Sequence, residues 1–389
     1  MSNKVIPISD FGEIVTGKTP SSNNPEDFGD ETLFITPSDD FDHKYISTTA
    51  RFLSSDGVEK LKSKLLPPES VLVTCIGSDM GKLAMNALPA ITNQQINSIV
   101  VDKSKYDPSY VYYKLKKSYE VLRQYSTGST AIPLLNKTDF SNIEITVEDN
   151  LSTQQKIAAV LTALDAKIEL NQRINAELES MAKTLYDYWF VQTKKVGKLK
   201  VGKLGDFIEV NARSITKNYS HSEIEYIDIA SVSTGRLEGT TKYEIKDAPS
   251  RARRLVKHGD TIWSTVRPNR KSYLFICNPS DNLVVSTGFA VLTPKNIPPS
   301  FLYFFTTTEK FVNYLVSNAE GSAYPAVSAD RFAEIDFEIP HERKLVEFEN
   351  IVSPVLTKIS KNELESQTLT ELRDWLLPML MNGQVQVQT

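Results

Sequence analysis

Across 389 residues the chain has two cysteines, Cys75 and Cys277, and neither belongs to a Cys-x-x-Cys pair. That excludes a disulfide framework and a cysteine-rich zinc site, and points to a reducing interior. Histidine is nearly as sparse. His43, His221, His258 and His341 are scattered without ligand spacing, so no metal site is expected. No run of 18 apolar residues occurs, and the opening MSNKVIPISDFG lacks an apolar core of signal-peptide length, so a soluble, cytoplasmic protein is expected. Bulk positive charge is also missing, since the net charge is −4. A protein that grips DNA alone through its phosphates is usually more basic. The charge is uneven, however. Residues 1–150 carry 15 basic and 20 acidic side chains, whereas residues 197–340 carry 18 and 16.

Catalytic signatures are missing too. Gly12-Glu-Ile-Val-Thr-Gly17-Lys18-Thr19 fits the P-loop spelling, but Pro20 to Pro25 follow it where a helix must open towards the phosphates. Asp107-Pro-Ser-Tyr110 is one residue from the Asp-Pro-Pro-Tyr of amino-methyltransferases, and reads better as proline at a helix entrance. No glycine-rich strand-to-helix turn suits S-adenosylmethionine. Glu244-Ile-Lys246 has a nuclease-like spacing that is too common to count. No catalytic residue is assigned.

What the chain does have is a long helix and a repeat. Leu151 to Phe190 contains no glycine or proline. Ile157, Leu164, Leu178 and Leu185 fall on d positions of a heptad with Asn171 among them, and Leu161, Ile168, Ala182 and Trp189 on a positions with Asn175. A seam this long predicts a coiled coil of roughly 50 Å, at ~1.5 Å per residue, with Ser152 and Gln155 as a capping box. The chain also matches itself with a period near 191. Ile8-Ser-Asp-Phe-Gly-Glu-Ile14 matches Leu204 to Val210, Phe34-Ile35 matches Tyr226-Ile227, and Val71 to Cys75 matches Thr261 to Thr265. Ile91 to Ile96 matches Val284 to Phe289, Pro108 to Tyr113 matches Pro299 to Phe304, and Phe140 and Ile143 match Phe332 and Ile335.

The repeat supplies a second helix whose seam includes Leu345, Phe348, Val352, Val355, Ile359, Asn362, Leu369, Arg373 and Leu376. Pro354 should kink or interrupt it. Asn171 and Asn362 occupy equivalent places, where a buried amide would fix register; the alternative is that both face solvent. The expected fold is α/β (α+β): two similar α/β domains separated by two long helices in an antiparallel intramolecular coiled coil. The expected bounds are 1–150, a helix over 151–192, 193–340, a helix over 341–382, and a tail over 383–389. Inside the domains, β runs are expected at 71–76, 96–101, 142–147, 261–266 and 272–277, and helical stretches near 56–66, 108–122 and 299–317.

Several residues suit nucleic acid. Arg251, Arg253, Arg254, Lys257, Arg267, Arg270 and Lys271 put seven cations within 21 residues, with Asn269 among them. The equivalent loop of the first repeat holds Ser78 and Lys82. Arginine forks clamp phosphates or guanine edges, and amides pair with adenine. Asn93, Gln94 and Gln95 offer amides, and Thr287 stands at the matching place. Ser129 with Thr130, and Ser322 with Tyr324, lie in matching polar loops. Lys18 and Ser38 complete the candidate set. Any one of them could be an ordinary solvated side chain; their recurrence at corresponding places favours a binding role.

A repeated α/β domain followed each time by a long helix resembles the specificity subunit of type I restriction–modification systems. The resemblance covers essentially the whole chain. It is most specific in Gln154 to Asn171, in Leu185-Tyr-Asp-Tyr-Trp-Phe190, in Thr370 to Gly383, and in Leu65 to Leu72 with Thr92-Asn-Gln-Gln95. Ser286-Thr-Gly288 departs from the last of these. The resemblance implies two target-recognition domains reading a split, asymmetric double-stranded DNA sequence. It implies partners: two methyltransferase subunits, and restriction subunits that act as motor and nuclease. Cofactors (S-adenosylmethionine, ATP and Mg) would be used by those partners and none bound by this chain. Tyr186, Tyr188 and Phe190 are candidate docking residues for the methyltransferase, or else pack on their own domain. A methyltransferase or nuclease fused to a DNA reader, and a scaffold without DNA contact, stay open as alternatives.

Overall fold

A computed structural model of the chain describes residues 3–77, 80–118, 135–192 and 201–387. It forms two compact units, Met1–Asn171 with Glu365–Thr389, and Gln172–Leu364. Each unit therefore combines one α/β domain with part of both long helices.

In the first unit, a five-stranded sheet runs in the order Gly12–Thr16, Ile96–Val101, Val71–Thr74, Leu83–Asn86, Tyr45–Ile46. A second sheet runs Phe28–Gly29, Phe52–Leu53, Thr32–Ile35, Ala90–Thr92, and Asn3–Pro7 pairs antiparallel with Glu144–Glu148. The second unit repeats this plan. One sheet runs Ile208–Val210, Phe289–Pro294, Thr261–Ser264, Tyr273–Phe275. The other runs Thr241–Glu244, Glu223–Ile227, Leu283–Ser286, Ala252–Leu255, and Val201–Lys203 pairs with Asp336–Glu338.

The self-match in the sequence coincides with strand register. Phe34 pairs with Ile91 in a parallel ladder, and so does Tyr226 with Val284. Ile96 opposes Thr74 as Phe289 opposes Ser264. The Ile8 N–H donates to the Ile143 carbonyl at 3.0 Å, and the Leu204 N–H donates to Ile335 at 3.0 Å. Strands buried on both faces, such as Val71–Thr74 and Thr261–Ser264, carry unbroken apolar or small residues. Pro108 and Pro299 stand at the first turn of the helices Pro108–Lys117 and Pro299–Thr306, where a missing N–H costs nothing. Asp107 caps the first of these by accepting from the Tyr110 N–H at 2.8 Å. Its carboxylate is engaged in folding, which removes the methyltransferase-like reading of that motif.

Some element expectations need correction. The stretch near 56–66 is a short helix, Ser55–Lys60, followed by a 3-10 turn, Lys62–Lys64. The stretch 299–317 is two helices, because Thr308 caps a new one, Glu309–Ser317. The central helix runs Leu151–Tyr186 and continues as a π-helical segment, Asp187–Gln192. Its cap is Asn150, whose Oδ1 accepts from the Thr153 N–H at 2.9 Å. Ser152 lies inside the first turn, so it cannot form the predicted capping box. The C-terminal helix, Glu342–Met381, passes through Pro354 unbroken. Val352 and Leu356 beside the proline are buried in the core of the second unit, and this packing holds the turn despite the lost N–H.

The two helices pair within each unit. In the first, Asn171 is 1% exposed and its Nδ2 donates to Glu365 Oε2 at 2.8 Å and to Ser366 Oγ at 3.3 Å. In the second, Asn362 is 1% exposed and its Nδ2 donates to Asn175 Oδ1 at 2.8 Å. Both amides are inside the seam and satisfied across it, as register-fixing groups must be. Ile157, Leu161, Leu345 and Val352 are buried, while Leu164, Ile168, Leu178, Leu185, Ile359, Leu369 and Leu376 are half-buried.

Candidate nucleic-acid interface

Three loops meet at one rim of the second domain. The Thr265 N–H and Oγ1–H both donate to the Gly288 carbonyl at 2.9 Å. The Val327 N–H donates to Thr265 O at 2.8 Å, and the Arg267 N–H to Pro325 O at 2.7 Å. The Thr287 N–H donates to Arg251 O at 2.8 Å, which adds a fourth segment. Arg251, Arg267, Thr287, Ser322 and Tyr324 are thus gathered by backbone bonds. The guanidinium carbon of Arg267 lies 4.4 Å from the Tyr324 ring centroid, and its NH2 reaches Ala323 O at 3.3 Å. Arg267 and Lys271 both have left-handed backbone, φ 51° and 54°, which costs energy for a side chain with a Cβ. That strain turns the loop sharply and keeps Asn269 and Arg270 exposed.

The first domain builds the same rim with other side chains. The Cys75 N–H donates to Gln95 O at 2.8 Å, and the Leu135 N–H to Cys75 O at 2.8 Å. These are the counterparts of the Thr265–Gly288 and Val327–Thr265 bonds. The Lys18 N–H donates to Thr92 O at 2.9 Å and Thr19 Oγ1 to Gln94 Oε1 at 2.7 Å. Lys18 and Gln94 are exposed, and Gln95 and Lys82 are partly so. Ser78, Ser129 and Thr130 lie outside the described residues.

Other candidates are engaged elsewhere. Asn93 is buried; its Oδ1 accepts from the Gln95 N–H and its Nδ2 donates to Gln95 Oε1, both at 3.0 Å. It shapes the turn that presents Gln94 and is not itself an exposed amide. Arg254 turns to Ser214 Oγ at 3.4 Å and is half-buried, whereas Arg253 is exposed with its Nε on Ser250 O. Lys271 Nζ is 2.7 Å from Glu309 Oε1, and this bond holds the Glu309 carboxyl below its ordinary range. Ser38 Oγ bonds Thr36 Oγ1 at 2.9 Å beside Asp39, Asp40 and Asp42, an acidic setting unsuited to phosphate. Burial pushes the Cys75 thiol up to about 11, far from a reactive thiolate.

The docking candidates also divide. Tyr186 is buried among Phe190, Phe301, Phe304 and Phe348, with ring centroids 5.3 to 6.2 Å away. Its ring belongs to the second unit's core and is unavailable to a partner. Phe190 packs 4.9 Å from Phe301 and is half-buried, while Tyr188 is 63% exposed.

One buried polar network matches no sequence motif. Lys44 Nζ donates to Ser109 Oγ at 2.9 Å and Thr162 Oγ1 at 2.8 Å and lies 4.7 Å from the Tyr113 centroid. The Tyr113 hydroxyl donates to Asp165, which pairs with Arg373 at 2.8 Å. Its mark in the sequence is Arg373, a charge at a seam position where the other members are apolar or uncharged. Among the described residues no group of His, Cys, Asp or Glu could hold a metal ion, and no helix is long and apolar enough to cross a membrane.

Residues 2–180 and 197–373 each match the family described as type I restriction modification DNA specificity domain. The chain is 26% identical, over 98% of its length and 93% of the relative's, to the type I restriction enzyme MjaIX specificity subunit of Methanocaldococcus jannaschii. Over 36% of its length and 30% of the relative's it is 38% identical to the HindI specificity subunit of Haemophilus influenzae. The fold is similar to the crystal structure of a type I restriction–modification system S subunit from M. genitalium. The TM-score is 0.62 at 17% identity, over 98% of this chain and 96% of that one.

Proposed function

This chain belongs to the family of type I restriction–modification DNA specificity domains, and from that membership we propose that its two domains each read one half of a bipartite, asymmetric DNA target. The chain is a DNA-specificity subunit and carries no catalytic centre of its own; such subunits act in complexes with DNA and other subunits. The observation that supports the split target is the rim. Equivalent backbone bonds at Cys75–Gln95 and Thr265–Gly288 hold loops whose side chains differ. Lys18, Gln94 and Lys82 face out in one unit, and Arg251, Arg267, Arg270 and Tyr324 in the other. Arginine and amide groups of this kind read base edges, and lysines contact phosphate.

On this reading the domains are 1–150 and 193–340, carried by helices over 151–192 and 341–382. Two methyltransferase subunits dock on the helices, with Tyr188 in the contact, and restriction subunits join them in the cytoplasm. S-adenosylmethionine, ATP and Mg serve those partners. The mild acidity of the chain fits a subunit whose partners share the grip on DNA.

The test is a domain exchange. Residues 1–150 are replaced by those of a relative, the chain is co-expressed with its methyltransferase, and genomic methylation is mapped by long-read sequencing. One half of the methylated motif should change and the other stay. An unchanged motif, or methylation lost at both halves with the complex intact, rejects the assignment.

A further inference from the structure

The register of the coiled coil is set by Asn171 against Ser366 in the first unit and Asn175 against Asn362 in the second. Under the 191-residue repeat, Asn362 is the counterpart of Asn171 and Ser366 that of Asn175. Two central helices from different copies could therefore lie together in the same register. Asn171 would meet Asn175, Leu161 would meet Leu185, and Ile168 would meet Leu178. Two C-terminal helices could do likewise. A seam so repetitive does not distinguish a helix's complement from a second copy of itself, and specificity needs a contact that penalises the wrong pair.

Lys167, 3.3 Å from Glu365, contributes, as do Leu377, Leu380 and Met381, which fill the first unit's core as Ala182 and Tyr186 fill the second's; one layer does it with buried charge. Asp165 Oδ1 and Arg373 NH1 are 2.8 Å apart with side chains only 14% and 16% exposed. The Tyr113 hydroxyl donates to the other Asp165 oxygen at 2.5 Å, and Arg373 NH2 also lies 2.8 Å from Asp374. The counterparts are apolar: Leu356 stands for Asp165, Ala182 for Arg373 and Phe304 for Tyr113, all in the buried core of the second unit. In a pair of central helices Asp165 would be set against Ala182, and in a pair of C-terminal helices Arg373 against Leu356. Each wrong pair loses the cross-helix ion pair twice by symmetry: Asp165 keeps only the Tyr113 hydroxyl and the ammonium groups of its own domain, Lys44 and Lys116, and Arg373 keeps only Asp374 on its own helix.

We propose that the Asp165–Arg373 pair selects the helix partner: the central helix accepts a C-terminal helix and rejects a second central helix. The selection stands on the helices alone. Its consequence rests on the reading above: the pairing keeps two unlike domains together, so that the target stays asymmetric.

The test uses the full chain with one protease site inserted in 193–200. The folded protein is cut, mixed with a cut, isotopically labelled preparation until exchange is complete, and weighed by native mass spectrometry. Wild type should give mixed pairs of first and second pieces in at least about a hundredfold excess over like pairs, given the cost of breaking a buried ion pair twice per dimer. Asp165→Leu/Arg373→Ala, which copies the apolar layer, should stay folded and raise the share of like pairs at least about tenfold over wild type, the remaining contacts still favouring mixed pairs. Asp165→Arg/Arg373→Asp should restore mixed pairing. Like pairs at about half in wild type, the statistical share when nothing discriminates, or no rise in them in the apolar variant, overturns the proposal. So does an apolar variant that melts far below wild type, since the pair would then be a stabiliser. No DNA enters the experiment, so its failure leaves the DNA-reading assignment standing.

Discussion

Glu363 on the C-terminal helix should make the protein less stable as pH rises through neutrality. In the second unit it shares a buried patch with Glu179 of the central helix, Tyr273, Tyr303 and the loop carrying Arg236 and Glu238. That loop closes tightly: a Cβ on Gly235 would stand 3.0 Å from the Tyr303 hydroxyl and 3.4 Å from Glu179 Oε1. Burial pushes the Glu363 carboxyl up to about 7; Glu179 and Glu238 push the same way and Arg236 opposes them. The folded state therefore holds this proton more tightly than the unfolded chain, whose ordinary value is 4.5. The stability linked to it is fully present below pH 4.5 and is lost as pH rises through about 7. The gap corresponds to a ceiling of roughly 3 kcal/mol, less whatever solvent screens at the partly exposed edge. For a unit of this size that ceiling is about 6 to 12 °C in melting temperature. The assay is circular-dichroism melting of the intact chain between pH 5 and 8, for wild type and Glu363→Gln. Wild type should lose melting temperature across the window, and the amide, which cannot ionise, should flatten most of the slope. A Glu363→Gln slope equal to that of wild type, or a wild-type melting temperature that rises with pH, would refute the reasoning.

Three more outcomes are expected. Phe348 is fully buried against Tyr186, Trp189, Phe190 and Phe304, so Phe348→Ala should cost about 3–5 kcal/mol in denaturant titration. Asn362→Leu removes a buried amide from the seam, so the melting temperature should hold or rise while register loosens; disulfide trapping at neighbouring seam positions should then give more than one cross-link. Arg267→Ala should weaken DNA binding by about 1–3 kcal/mol and relax the motif in one half only, whereas Lys271→Ala, already tied to Glu309, should change affinity little in fluorescence anisotropy.

The frame was legible because it is written twice. Matches such as Phe34-Ile35 with Tyr226-Ile227 are apolar residues on buried strands, and burial ties residue type to register. The seam asparagines were legible for a similar reason, since an amide in a heptad stands out against leucine. Local ends were harder. Ser152 and Asn150 are both competent caps, and which one serves depends on where Glu148 leaves the strand, a tertiary fact. Pro354 does not interrupt its helix, because the packing of Val352 and Leu356, which helix propensity does not contain, holds the turn around it.

The candidate site was legible in outline and not in detail, and the difference has a physical cause. The bonds that build the rim run between main-chain groups, which every residue carries, so they leave no mark on residue type. Asn93 and Gln94 are adjacent amides, yet the turn buries one and exposes the other. Arg254 and Arg253 split in the same way along the strand Ala252–Leu255, where a register shift leaves Arg253 unpaired between the Ala252–Ser286 and Arg254–Val285 pairs. Tyr186 and Tyr188 flank the point where the α-helix gives way to the π-helical segment and face nearly opposite ways, so only Tyr186 meets the core. A rim held by main-chain bonds tolerates nearly any side chain on its exposed positions. The same property hides the contact residues from a sequence reading and lets one frame, used twice in one chain, present two unlike reading surfaces.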